Sequence, residues 1–223
     1  MKIGLVYTGV TDELKADVER EVKKQLGEEV EMLSYADPSI IKEVSSIGYV
    51  TTAPAARLVA SYMQAAQDGV DAILNLCSSV GEVADAVQPL AKYLGVPIVR
   101  VDEEMCRTAV KTGKRIGVMG TLSSTLTPTA NTIRRLAREM NRQVEITECL
   151  VEGAFNINQE QFLKMMDEHA ATIIDKVDVI VLAQGSMAYA EPSLSSKYGK
   201  PVLGSPRFGA VALKKALEEK GVL

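Results

Sequence analysis

One pattern occurs twice in the chain, and this repeat constrains the fold more than any other feature of the sequence. A short apolar run follows Asp71 and ends at Cys77, and a second apolar run follows Asp178 and ends at Gln184. The two aspartates are 107 residues apart, and so are Cys77 and Gln184. A chain of 223 residues that repeats in this way predicts two similar halves.

The start of each half reads as a buried strand that runs into a turn and then a helix. A strand at residues 3–7 leads into a helix that Thr11 caps and Gly27 ends. A strand at residues 116–121 leads into a helix that we expect to start at Thr127-Pro128. Strands that alternate with helices predict an α/β protein with two pseudosymmetric lobes, each a parallel β-sheet flanked by helices, and an active-site cleft between them.

The repeat also suggests where the lobes divide. We expect residues 1–100 to form the N-terminal α/β lobe and residues 101–223 to form the C-terminal α/β lobe. The sequence leaves open whether the C-terminal helix packs back on the first lobe.

Composition argues against several classes of partner. The formal net charge of −4 gives no electrostatic reason to expect nucleic acid or an anionic membrane as a partner. No cleavable signal precedes the first strand-like run, and no apolar stretch approaches the ~20 residues that span a bilayer. We therefore expect a cytoplasmic protein, and a homo-oligomer is possible.

The cysteines and the histidine argue against a metal site. Cys77, Cys106 and Cys149 are odd in number and far apart, which favours reduced thiols over a disulfide framework or a zinc site. Cys106 and Cys149 lie in apolar surroundings typical of a core. His169, the single histidine, is expected at the edge of the buried face of a helix that starts near Asn158. Neither a metal nor a cofactor is expected.

Small polar residues follow the predicted strands, where ligands bind in open parallel sheets. Cys77 stands at a strand-to-helix turn, and the capping box from Ser79 to Glu82 predicts free backbone N–H groups beside it. Such a setting favours a bound anion and a thiolate. The candidate ligand-binding residues in these loops are Thr8, Gly9, Asn75, Ser78, Ser79, Thr121, Ser123, Gln184, Gly185 and Ser186. They could equally serve only to cap turns and helices.

Arg207 follows the last short strand and is a further candidate. Its guanidinium could pair with a substrate carboxylate, or it could be a solvated surface group.

Three segments resemble the aspartate/glutamate/hydantoin racemase superfamily: Leu74-Asn75-Leu76-Cys77-Ser78-Ser79, residues 117–125 (GVMGTLSST) and residues 181–187 (VLAQGSM). The resemblance implies two pseudosymmetric lobes with a cysteine from each lobe facing the substrate α-carbon. It implies that Cys77 is catalytic and that Thr8, Ser78, Thr121 and Ser186 bind the ligand. It also implies that Tyr49 and Thr52 lie near the ligand, although Thr52 could be only a helix cap.

Gln184 departs from the family pattern because it stands where the second cysteine is expected. A neutral amide can neither remove nor deliver the α-proton, and loss of a positioned acid or base costs roughly 10² to 10⁴ in rate. Gln184 could instead bond loop backbone or bind substrate through its amide. The resemblance then favours one-thiol chemistry on a small carboxylate, either decarboxylation, as in the arylmalonate decarboxylase branch, or isomerisation, as in the maleate isomerase branch. The single cysteine of the first branch lies in the second lobe, and maleate isomerases carry a cysteine in both lobes.

Three other functions stay open. One is a non-catalytic protein that binds small carboxylates, and another is a racemase with an unidentified second base. The third, a nucleotide- or phosphate-binding module, has little support because no G-x-G-x-x-G follows the first strand and no G-K-[ST] occurs.

Overall fold

The computed structural model describes residues 1–155 and 157–223. They divide into two compact units, Met1–Val101 with Pro206–Leu223, and Asp102–Ser205. The sequence-based division placed residues 206–223 in the second lobe and left open whether the last helix packs back on the first, and the structure groups these residues with the first unit. The reason is that the last helix buries Ala210, Leu213 and Leu217 in the first unit's core.

The first unit contains a four-stranded parallel sheet of order β2-β1-β3-β4 among the described residues. Its elements are β1 (Lys2–Tyr7), α1 (Asp12–Leu26), β2 (Glu31–Ala36), α2 (Pro38–Ile47), α3 (Thr52–Gln67), β3 (Ala72–Asn75), a 3₁₀ helix (Ser78–Val80), α4 (Gly81–Ala86), α5 (Gln88–Leu94) and β4 (Ile98–Arg100).

The second unit repeats this order with the parallel sheet β6-β5-β7-β8 over the part of the chain that the structure describes. Its elements are α6 (Glu103–Thr112), β5 (Arg115–Gly120), α7 (Ser123–Glu139), β6 (Glu145–Leu150), α8 (Gln159–Ile173), a 3₁₀ helix (Ile174–Lys176), β7 (Val179–Leu182), a 3₁₀ helix (Gly185–Ala190), α9 (Glu191–Tyr198) and β8 (Val202–Gly204). Helix α10 (Ser205–Lys220) follows.

Helices cover both faces of the first sheet. Alternate residues of each strand point to opposite faces, and apolar residues on both faces pack against helices. Ile3 and Leu5 pack with Val18 of α1 on one face. Val6 on the other face packs with Leu58 of α3. The predicted class, two parallel sheets flanked by helices, is confirmed.

The repeated aspartate has the same task in both units. Asp71 Oδ2 accepts a hydrogen bond from the backbone N–H of Lys2 at 2.8 Å. Asp178 Oδ2 accepts one from the backbone N–H of Arg115, also at 2.8 Å. In each unit, the carboxylate before the third strand therefore holds the start of the first strand.

Of the helix starts predicted at Thr11, near Asn158 and at Thr127-Pro128, the first two are confirmed and the third is wrong. The Thr11 side chain caps α1 and the Asn158 side chain caps α8. Helix α7 begins at Ser123 rather than at Thr127-Pro128, so Pro128 lies inside the helix. Leu126, buried in the early turn, packs against Gly120 at the end of β5, and this burial stabilises the earlier start despite the proline.

Within the described ranges, no helix combines the length and the apolar character needed to cross a membrane.

Candidate active site

Cys77 lies at the carboxyl end of β3, where the chain leaves the first sheet. It is the cap residue of the 3₁₀ helix Ser78–Val80 and has an extended backbone. The residue is half-buried, whereas Cys106 is 0% and Cys149 is 7% exposed. The core positions predicted for Cys106 and Cys149 are confirmed, and Cys77 is the least buried of the three cysteine residues.

Burial raises the pKa of Cys77 above its ordinary value. Four nearby hydrogen-bond donors lower this pKa without cancelling the effect of burial. They are the hydroxyls of Thr8 and Ser79 and the backbone N–H groups of Ser79 and Val80. The expectation that this turn favours a thiolate is therefore wrong, because desolvation outweighs these donors. At neutral pH the side chain is a protonated thiol.

The predicted capping box does not start the helix beside Cys77. Helix α4 begins at Gly81, and its cap residue is Val80 rather than Ser79. The 3₁₀ turn of residues 78–80 separates the strand from α4, so Ser79 lies one turn too early to cap it.

Two buried hydroxyls lie next to the thiol in sequence or in space. Thr8 follows β1 and Ser78 follows Cys77, and both residues are buried. Among the described residues, Thr8 Oγ1 and Ser78 Oγ have no hydrogen-bond partner of full geometry, although Thr8 is close enough to lower the pKa of Cys77. Buried polar groups are normally hydrogen-bonded, so two unsatisfied hydroxyls beside a thiol are suited to a ligand oxygen.

Asn75 holds the loop that carries Cys77. Its Nδ2 donates to the Cys77 carbonyl oxygen at 3.1 Å. Its Oδ1 accepts from the buried Tyr62 hydroxyl of α3 at 3.0 Å. The predicted ligand-binding residue Asn75 is thus engaged within the protein, and it positions Cys77.

Sequence reasoning missed Arg100, whose side chain is only 2% exposed. Arg100 pairs with Asn75 in the register of β3 and β4, and its guanidinium bonds Asp85 at 2.6 Å. A Cβ at Gly81 would lie 2.5 Å from Arg100 Cζ, so a larger residue there would displace the guanidinium from the start of α4. The sequence does show that Arg100 ends an apolar strand. An arginine at such a position can equally be exposed at the surface, so its burial could not be predicted from composition.

In the second unit, Gln184 occupies the position after β7 that corresponds to Cys77 after β3. Its Oε1 accepts a hydrogen bond from the Thr121 backbone N–H at 2.6 Å and another from Thr121 Oγ1 at 3.0 Å. The sequence left two roles open for Gln184, binding of loop backbone and binding of substrate. The structure shows the bond to loop backbone.

The other candidates after the second sheet differ in exposure. Ser123 is the exposed first residue of α7, and Gly185 and Ser186 are half-buried in the 3₁₀ helix that follows Gln184. Ser124, the next residue of the Ser123-Ser124-Thr125 segment that the sequence suggests as an anion cradle, has an Oγ that is buried without a hydrogen-bond partner within the described residues.

The remaining candidates belong to the first unit and are more peripheral. Gly9 is half-buried, and a Cβ there would approach Ile41 to 3.3 Å. Tyr49 is 66% exposed. Thr52 is the exposed first residue of α3, and the helix cap is Thr51, so Thr52 is not a cap. Arg207 is exposed on α10 with its guanidinium over the Phe208 ring, 4.1 Å from the centroid.

No group of three or more histidine, cysteine, aspartate or glutamate side chains that could hold a metal ion occurs in residues 1–155 and 157–223.

The thiol after β3 and the repeated parallel sheets coincide with a known family. Residues 3–213 match the family model of Asp/Glu/hydantoin racemases. The chain belongs to this family. Its members are enzymes, and membership supports a racemase-like enzyme that needs no cofactor.

Solved structures share the fold. Glutamate racemase isoform RacE1 from Bacillus anthracis is 19% identical with a TM-score of 0.73, over 99% of this chain and 83% of that one. Allantoin racemase from Klebsiella pneumoniae is 13% identical with a TM-score of 0.65, over 99% and 89%. Unliganded arylmalonate decarboxylase is 11% identical with a TM-score of 0.56, over 99% and 92%. A comparison with curated proteins found no match.

Proposed function

We propose that this racemase-family protein uses one thiol, Cys77, to act next to the carboxylate of a small organic acid. The observation that carries the proposal is the difference between the two equivalent strand ends. Cys77 is a half-buried thiol near unsatisfied hydroxyls, whereas Gln184 is an amide already bonded to Thr121. Two-base racemization needs a proton acceptor on one face and a donor on the other, and an amide is neither at useful rates.

The protonation state of Cys77 favours decarboxylation over isomerisation. A thiol whose pKa is raised by burial carries its proton at neutral pH and can deliver it to a carbanion. Isomerisation by addition to a double bond needs the thiolate, which burial disfavours. The favoured substrate is accordingly a disubstituted malonate. The name of the structural neighbour arylmalonate decarboxylase also points to substituted malonates as substrates.

The proposed reaction is loss of carbon dioxide followed by proton transfer from Cys77. The bond between the α-carbon and one carboxylate breaks, carbon dioxide leaves, and the electron pair stays on the α-carbon as an enolate. The Cys77 thiol gives its proton to that carbon, and water reprotonates the thiolate. Thr8 and Ser78 donate to oxygens of the carboxylate that remains.

The test is turnover of disubstituted malonates in deuterated water. The wild-type protein should release carbon dioxide and give a product with one deuteron at the α-carbon and one configuration. Cys77→Ala should lower the rate roughly 10² to 10⁴-fold, the usual cost of losing a positioned acid. Cys106→Ala is the matched control, because Cys106 is a buried core thiol of the second unit.

Two results would contradict the proposal. One is the absence of Cys77-dependent decarboxylation across the malonate panel. The other is robust loss of chirality of free aspartate, glutamate or a 5-substituted hydantoin by the wild-type protein, followed by polarimetry and abolished in Cys77→Ala. That second result would mean that a group other than a second cysteine serves as the opposite acid.

A further inference from the structure

The side-chain oxygen of Gln184 accepts hydrogen bonds from Thr121 in the way that an oxygen of a bound carboxylate would. One oxygen, Oε1, receives both the backbone N–H at 2.6 Å and the hydroxyl at 3.0 Å of the same threonine. Two convergent donors at the end of a parallel strand are what an anionic oxygen requires. In this protein a side-chain amide satisfies both donors.

The equivalent threonine of the first unit faces a thiol instead of an amide oxygen, and its hydroxyl is close enough to lower the pKa of Cys77. Thr8 follows β1 and Thr121 follows β5, and these strands occupy the same place in their sheets. In the described part of the chain the Thr8 hydroxyl is buried without a partner of full geometry. A thiol is a weak acceptor and leaves the Thr8 hydroxyl available to a ligand oxygen, whereas the Gln184 amide oxygen already accepts from both Thr121 donors.

We infer that Gln184 is an internal ligand of Thr121 and a specificity-determining residue that keeps small carboxylates away from this threonine. The ligand's carboxylate is then recognised by the Thr8 and Ser78 end of the first unit alone. The inference concerns binding and does not depend on the reaction proposed for Cys77.

Tethering makes the exclusion effective. Gln184 belongs to the same compact unit as Thr121, so its effective concentration at the two donors reaches at least the millimolar range. A free acid at micromolar concentration does not compete with it. Removal of the amide should therefore create a carboxylate site where the wild-type protein has none.

The experiment is a titration with acetate, followed by the chemical shift of the Thr121 backbone N–H. The Gln184→Ala resonance should move and saturate, whereas the wild-type resonance should not move at acetate concentrations up to about 10-fold above those that saturate the variant. Gln184→Glu keeps an acceptor oxygen at the same reach, so acetate should leave its Thr121 resonance in place. Gln88→Ala is the matched control, because it removes a glutamine whose Nε2 bonds the carbonyls of Ala84 and Ile98 in the first unit.

Two outcomes overturn the inference. One is a wild-type Thr121 resonance that responds to acetate as strongly as that of Gln184→Ala. The other is a folded Gln184→Ala protein whose Thr121 resonance does not respond. If Gln184→Ala fails to fold, Gln184→Asn, one methylene shorter, is measured in its place with the same two criteria. Failure of malonate decarboxylation affects neither result.

Discussion

The Tyr62 hydroxyl donates to Asn75 Oδ1 over 3.0 Å, and both side chains are fully buried. This bond sets the orientation of the Asn75 amide, whose Nδ2 then points to the Cys77 carbonyl oxygen. Helix α3 thereby fixes the loop that presents the thiol through a fully buried asparagine. Tyr62 and Asn75 are positioning residues for Cys77.

Tyr62→Phe should destabilise the first unit and loosen the Cys77 loop. The variant leaves a buried carbonyl oxygen of Asn75 without its donor, which costs about 1 to 3 kcal/mol. Urea unfolding measures this cost. Tyr35→Phe is the matched control, because its hydroxyl bonds Asp68 at the surface and its loss should cost well under 1 kcal/mol. Equal losses in the two variants would contradict the positioning role.

Much of the architecture is predictable because it depends on local patterns. The apolar runs after Asp71 and Asp178 define equivalent strands, and the side chains of Thr11 and Asn158 cap the helices that follow them. These features need only the period of a strand or the chemistry of a cap within a few residues.

The errors arise where tertiary packing overrides a local signal. Thr127-Pro128 is a good helix start, but burial of Leu126 against Gly120 extends α7 back to Ser123. Ser79 and Glu82 have capping-box spacing, but the chain first makes a 3₁₀ turn.

The Gln184 interaction could not be predicted in geometry, because it joins residues that are 63 apart in sequence. Both follow neighbouring parallel strands, so the sequence indicates that the two loops lie at the same sheet edge. Which atom meets which depends on the register of β5 and β7 and on side-chain rotamers. The raised pKa of Cys77 could not be predicted from the sequence either, because it depends on how completely the surrounding residues bury the thiol.

Cys77 should be the first thiol that iodoacetamide labels, because it is the least buried of the three cysteine residues. Its labelling rate should keep rising as the pH passes the ordinary thiol range. Only the thiolate reacts, and burial raises the pKa of this group. Thr8→Val removes the hydroxyl that lowers this pKa, so the rate profile should move to still higher pH. Mass spectrometry of tryptic peptides between pH 6 and 10 measures both effects.

Two comparisons control the labelling experiment. Thr108→Val changes a threonine of the second unit that is remote in sequence from Cys77 and should leave the profile unchanged. Faster modification of Cys106 or Cys149, or a Thr8→Val profile that moves to lower pH, would contradict the assignment.

Asp178 ties the start of β5 to the residue before β7 and makes the second unit sensitive to acid. Its carboxylate accepts from the Arg115 guanidinium and from the backbone N–H groups of Arg115 and Lys114. The Arg115 side chain is the largest cause that lowers the pKa of Asp178 from 3.8 to about 2. Because the pKa is lower in the folded protein, the bonded carboxylate stabilises the fold fully above the unfolded value near 3.8, and this contribution is lost as the pH falls towards 2.

Asp178→Asn should therefore melt at a lower temperature than the wild type at pH 7, and the difference should shrink as the pH is lowered from about 4 towards 2. The amide keeps one acceptor oxygen but loses the charge that Arg115 pairs with, so the effect at neutral pH should also weaken in high salt. Calorimetry at a series of pH values measures it. Asp175→Asn removes one negative charge from an exposed position of the same unit and controls for net charge. A melting difference for Asp178→Asn that is constant with pH, or one no larger than that of Asp175→Asn, would mean that the bonds to Arg115 and Lys114 do not couple acid titration to stability.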